Sequence, residues 1–168
     1  MATRSGLLRW FPEFFEKYEA VTVFDLLKEY IESGRIRLDR SRIQALATYH
    51  DPCNYGRKSL ESFGQAYYEE GRWILSQCVE NWVEAYPSRG TQYCCGGGGG
   101  TLLTPYTEER LLYGKRKMEQ IRRTGAELVV VPCHSCHGQI KALAKAEGMD
   151  DIEVKYLWEV AAEALVIG

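Results

Sequence analysis

Cys94-Cys95 followed by five consecutive glycines, Gly96 to Gly100, constrains this chain more than any other stretch. A helix interior does not tolerate such a run, since each glycine costs ~1 kcal/mol relative to alanine. Adjacent thiols do not readily close a disulfide with each other. The segment therefore reads as a loop whose backbone must come very close to something. Three further thiols bear on what that is: Cys53 upstream, and Cys133 and Cys136 downstream as a C-x-x-C pair. The working expectation is that these five converge on one metal centre beside the glycine loop.

At 168 residues the chain has room for one domain with a real core. A net charge of −2 gives no electrostatic reason to expect nucleic acid or an anionic membrane as partner. No apolar run approaches the ~20 residues that span a bilayer. The first ten residues lack the apolar core of an export signal. A cytoplasmic location is therefore expected, and there six cysteines favour metal or redox chemistry over structural disulfides.

Aromatic and aliphatic residues from Trp10 to Ile31 recur at helical spacing, which predicts an N-terminal helical segment, residues 1–42, with its main helix over 7–33. Thr22 or Asp25 is placed to cap its second half. Ile43 to His50 reads as a buried strand stopped by Asp51-Pro52, and Ser59 to Val83 as a helical pattern broken near Gly71. Thr107 reads as the N-cap of a helix that Gly125 closes. Glu127 to Val131 is the clearest strand, β-branched as a central parallel strand is, and Pro132 ends it. Gln139 to Glu147, Ile152 to Leu157 and Glu159 to Ile167 complete the pattern as helix, strand and helix. Alternating strands and helices predict an α/β fold, a largely parallel sheet flanked by helices. Two cysteine clusters then sit on loops at strand C-terminal ends, where open α/β sheets place their ligands.

Each half-motif is weak alone, because C-x-x-C occurs in redox sites, zinc ribbons and iron–sulfur proteins alike. The combination of Cys53, Cys94-Cys95-Gly96 and Cys133-x-x-Cys136 is more specific. Adjacent thiolates leave an extended backbone on opposite sides, which suits a centre with several irons better than one tetrahedral zinc. The glycine run supplies backbone N–H donors for cluster sulfurs or for a substrate thiolate while keeping side chains away.

Three strings carry a resemblance: His50-Asp51-Pro52-Cys53-Asn54-Tyr55-Gly56-Arg57, Cys94-Cys95 with Gly96 to Gly100, and Pro132-Cys133-His134-Ser135-Cys136-His137-Gly138. Together they resemble the CCG cysteine-rich domain of heterodisulfide reductase subunits. Among its members they look most similar to the heterodisulfide-reductase-like iron–sulfur subunit of the membrane complex associated with dissimilatory sulfite reductase. The similarity covers residues 43–168.

The resemblance implies a noncubane [4Fe-4S] cluster held by Cys53, Cys94, Cys95, Cys133 and Cys136. It implies disulfide chemistry in one-electron steps on the C-terminal cysteines of a small sulfur-carrier protein. Electrons would come through a ferredoxin-like domain or subunit from membrane subunits linked to quinone. His134 and His137, beside the cluster cysteines, and Arg57, on the Cys53 loop, are the candidate catalytic residues; His50 flanks the cluster too, as a hydrogen-bond partner or proton donor. Relatives of this kind are longer and carry cubane-cluster motifs of the C-x-x-C-x-x-C type, a run this chain lacks. The alternatives are a zinc-bound or metal-free docking domain of the same kind of complex, and a domain from lactate, glycolate or glycerol-3-phosphate oxidation complexes. Cys78, among Trp73, Ile74 and Trp82, reads as a buried structural cysteine.

Overall fold

The computed structural model describes residues 2–167. The elements in chain order are α1 (Ala2–Trp10), α2 (Phe14–Lys17), α3 (Val23–Glu32), β1 (Ala47–Tyr49), α4 (Arg57–Phe63), α5 (Glu69–Cys78), β2 (Trp82–Val83), α6 (Thr107–Thr124), β3 (Leu128–Val131), α7 (His134–Ala146), β4 (Glu153–Tyr156) and α8 (Leu157–Ala164).

Every strand pairing is parallel, and the strand order is β2-β1-β3-β4. The chain moves outward from β1 to β2, then crosses back over β1 to reach β3. The order therefore reverses between β1 and β3, where a doubly wound sheet opens its crevice. β3 lies in the middle and is buried throughout. Its side chains alternate: Leu128 and Val130 join Phe24, Tyr49, Ile74, Leu75 and Val160 on one face, and Val129 and Val131 join Met118, Ile121, Ile140 and Leu143 on the other. Helices α3, α5 and α8 thus cover one face and α6 and α7 the second. The expected α/β architecture is the observed one.

Local boundaries differ from expectation in five places, each for a physical reason. The N-terminal helical run is three helices, not one over 7–33. Pro12 interrupts it, and Tyr18 is extended with φ −131° and ψ 135°. Thr22 then caps α3 in a reciprocal box, accepting from the Asp25 N–H at 3.2 Å while its own N–H donates to Asp25 Oδ2 at 2.8 Å. Phe24 of α3 enters the core, while Trp10, Phe11 and Tyr18 remain exposed.

The strand expected over Ile43 to His50 is regular only across Ala47–Tyr49, although the His50 N–H extends the ladder to the Val130 carbonyl at 3.0 Å. The helix expected over Ser59 to Val83 breaks at Gly64, which has φ +68°, and Trp82–Val83 is an edge strand. Gly71 lies inside α5, where a Cβ would meet the Tyr49 hydroxyl at 2.0 Å, so glycine serves close packing there. Thr107 is the first helical residue of α6; Tyr106 occupies the N-cap and forms no side-chain cap bond. Gly125 closes α6 as expected, with φ +67°. Finally, α7 starts at His134 rather than Gln139, so the second half of the C-x-x-C motif is helix.

Candidate metal centre

The loop after β1 carries Cys53 and the N-terminus of α7 carries Cys133 and Cys136, on the two sides of the strand-order reversal. Cys133 is at the α7 N-cap with extended backbone, and the His137 N–H donates to its carbonyl at 2.9 Å to begin the helix. Cys136 falls in the first turn. Cys94 and Cys95 arrive from the long segment between β2 and α6.

All of these thiols are free, and each is shifted by neighbouring sulfurs in the order Cys53, Cys94, Cys95, Cys136, Cys133. The Cys95 and Cys136 sulfurs are 3.5 Å apart. Cys95, Cys133 and Cys136 are buried, Cys53 is half-buried and Cys94 is exposed. The structure thus gathers the five predicted thiols into one cluster with one end open to solvent. Cys78 lies apart, fully buried in α5, and burial pushes its thiol up to about 12.

The glycine loop is wedged between α6 and α7. A Cβ on Gly96, whose φ is +85°, would meet the Arg110 carbonyl oxygen at 2.5 Å, and one on Gly97 would meet Gln139 Cβ at 2.6 Å and the Ser135 carbonyl at 2.9 Å. Gly98 faces the site itself, its Cβ position 3.9 Å from Cys53 Sγ. Gly114 of α6 completes the fit: a Cβ there would meet Leu143 at 2.4 Å and the Cys95 carbonyl at 2.8 Å. The Gly96 N–H donates to Cys94 Sγ at 3.3 Å, and the Gly97 N–H serves Cys95.

These donors set the thiols apart. Contact with Cys53 and Cys95, together with the Gly96 N–H, pulls Cys94 far below the ordinary thiol range. Cys133 falls to about 6, first through Cys136 and then through the Ser135 and Cys136 N–H groups at the start of α7. Cys53 and Cys136 are driven up by the neighbouring sulfurs and by burial. A set of thiols held this close releases protons when it binds metal.

His134 is exposed and His137 half-buried, and both rings turn toward β4. His134 Nδ1 pairs with the Tyr156 hydroxyl at 2.5 Å, and His137 Nε2 with the Val154 carbonyl at 3.1 Å. The His137 ring stacks on Tyr156 with centroids 4.1 Å apart. Arg57 opens α4, is exposed, and donates from Nη1 to the Gly90 and Gln92 carbonyls, both at 3.1 Å. It thereby ties the Cys53 loop to the segment leading into Cys94.

Three buried polar residues at the site escape the sequence reading. Arg72 bridges Asp51 and Glu84, Lys117 lies 2% exposed on α6, and Gln139 pairs with Arg110 through both side chain and carbonyl. A lone basic residue on the apolar face of a helix was the available signal for Arg72 and Lys117. The donor set passes the chemical test for a thiolate-bound centre: five free sulfurs brought together, glycine N–H groups serving two of them, and the backbone of Gly98 beside Cys53.

Fold and site together define a doubly wound α/β domain built around a thiol cluster. The chain belongs to the CCG cysteine-rich domain family, whose model matches residues 47–141. It is 35% identical over 139 residues to a probable membrane-anchored ferredoxin of Chromohalobacter salexigens, covering 83% of this chain and 20% of that protein. It is 29% identical over 120 residues to the Hdr-like menaquinol oxidoreductase iron-sulfur subunit 2 of Archaeoglobus fulgidus, covering 67% and 20%. A dihydromethanophenazine:CoB–CoM heterodisulfide reductase component of Methanosarcina barkeri is 27% identical over 153 residues, covering 88% and 34%. The chain therefore spans about a fifth to a third of the length of these relatives. No solved structure matches it. No helix among the described residues is long and apolar enough to cross a membrane.

Proposed function

We propose that this chain is the iron–sulfur redox domain of a heterodisulfide-reductase-like oxidoreductase. The observation that carries this reading is the run of five free thiols gathered at the switch point of the sheet. Relatives named as iron–sulfur and heterodisulfide reductase subunits support it. Cys53, Cys94, Cys95, Cys133 and Cys136 hold a noncubane [4Fe-4S] cluster, which when bound exchanges single electrons with a disulfide.

The substrate is a disulfide or trisulfide on a small sulfur-carrier protein with C-terminal cysteines. It approaches over the Cys94 end, where the sulfur is exposed and Gly98 to Gly100 present no side chains. Cleaving one disulfide takes two electrons and two protons and yields two thiols; the reverse reaction returns them. Electrons pass to or from a ferredoxin-like domain or partner subunit connected to a quinone pool in the membrane. His134 and His137, beside Cys133 and Cys136 in sequence, are the candidates for exchanging protons with the departing or attacking thiol. Arg57 orients the loop across which the carrier docks.

Anaerobic reconstitution tests this reading. It expects ~4 iron and ~4 acid-labile sulfide per chain, lost in Cys95→Ala. Near-zero iron after competent reconstitution overturns it. A second reading, a zinc-bound docking domain, draws on one observation: ligand atoms of His50, Cys95 and Cys136 lie within 4.8 Å of one another, close enough for a single ion. It expects about one zinc per chain and no visible absorbance.

A further inference from the structure

His50 is the first residue past β1. Ala47 and Tyr49 point into the core beneath α5 and α8, so the alternation sends Thr48 and His50 to the opposite face, toward α6 and α7. Its backbone is fixed by the 3.0 Å bond to the Val130 carbonyl. The ring is only 2% exposed, and neither Nδ1 nor Nε2 has a hydrogen-bond partner among the described residues. Leaving such a group unsatisfied costs about 1–3 kcal/mol, and folded proteins rarely bear that cost without a purpose. One ring nitrogen lies within 4.8 Å of both the Cys95 and the Cys136 sulfur. What satisfies this ring is thus to be found at the thiols.

We propose that His50 donates a ring N–H hydrogen bond to a sulfur of the bound centre at Cys95 and Cys136, as a positioning residue that raises the centre's reduction potential. This rests on the iron–sulfur reading above. Five thiols already supply the ligands, so the ring is left as a donor. An imidazole carries at least one ring N–H in either protonation state, so the ring is able to donate. An N–H aimed at a ligand sulfur stabilises the more negative, reduced state, which moves the potential upward. The glycine N–H groups serve Cys94 and Cys95, and His50 reaches Cys95 and Cys136 from the end of β1.

The experiment measures the reduction potential of the reconstituted chain and the nitrogen couplings of its paramagnetic state after labelling with 15N-histidine. Only three histidines are present, so a His134→Asn, His137→Asn background leaves His50 as the one labelled ring. The expected result is a weak coupling characteristic of a hydrogen-bonded nitrogen. His50→Ala should abolish it and make the potential more negative, and His50→Asn or His50→Gln should restore part of the shift. A strong coupling from a directly bonded nitrogen overturns the proposal, because His50 is then a ligand. An iron-loaded wild type with no coupling overturns it too, and needs no His50 variant to fold. Unchanged potential in an iron-loaded His50→Ala chain overturns this inference alone, whereas a wild type that takes up no iron overturns it together with the cluster reading.

Discussion

Arg72 grips Asp51 with both arms of its guanidinium, Nη1 to Oδ1 at 2.7 Å and Nη2 to Oδ2 at 2.8 Å, and both side chains are at least 95% buried. The same guanidinium holds Glu84 through Nε and Nη2, and the Arg89 N–H donates to Asp51 Oδ2 at 2.7 Å. One residue of α5 therefore fixes both the loop that presents Cys53 and the segment that leads to Cys94. Removing one partner of a buried pair strands the other as an uncompensated charge, at a cost of about 3–5 kcal/mol. Arg72→Met should lower unfolding stability by that amount in urea titration. Arg72→Lys should recover only part of it, since a lysine cannot reproduce the two-armed geometry.

The glycine run divides into positions that packing requires and positions it does not. Gly97→Ala places a methyl group against Gln139 Cβ at 2.6 Å and the Ser135 carbonyl at 2.9 Å, so α7 must move. Overpacking of this kind costs about 1–3 kcal/mol. Gly98→Ala meets nothing closer than Cys53 Sγ at 3.9 Å, an ordinary contact, and should change stability by less than about 1 kcal/mol. Denaturant midpoints of the two metal-free variants check the contrast. Equal losses would mean that the loop does not pack between α6 and α7 as described.

How much of this was readable beforehand follows from the range of the interactions involved. Leu128–Val131 announces itself because a central parallel strand needs apolar residues on both faces. The five thiols are legible as a set because few other roles suit Cys-Cys-Gly and C-x-x-C together. The glycines signal close approach, but the partner could not be read: for Gly96 and Gly97 it is α6 and α7 rather than the centre. The start of α7 was hidden because Cys133-His134-Ser135-Cys136 has little helix preference of its own, and the helix begins there because Pro132 ends β3. The Arg72–Asp51 pair spans 21 positions, and a single sequence does not reveal which buried charges meet. β2 is two residues long, too short for any periodicity to show.

Lys117 supplies the pH dependence of the metal-free chain. Its ammonium, 2% exposed, donates to Gln120 Oε1 at 2.5 Å, and no carboxylate lies within ion-pair distance among the described residues. Burial pushes the group down from 10.5 to about 8, with Asp51 and the thiols of Cys95, Cys136 and Cys94 acting in the opposite sense. Between pH 8 and 10.5 the unfolded chain holds a proton that the folded chain has released, so this residue's contribution to stability rises with pH across that window. Below pH 8 both states are charged and the folded chain bears the full penalty, about 3 kcal/mol. Lys117→Met removes it. At pH 7 the metal-free variant should therefore unfold at higher urea than wild type, and the difference should shrink as pH rises toward 10.5. Loading the centre should reverse the order, because an anionic cluster supplies the countercharge that the ammonium lacks and the variant forfeits that attraction. Parallel urea titrations of metal-free and loaded protein, wild type against Lys117→Met, measure both signs; a variant less stable in each state would show that Lys117 already has its counter-charge in the polypeptide.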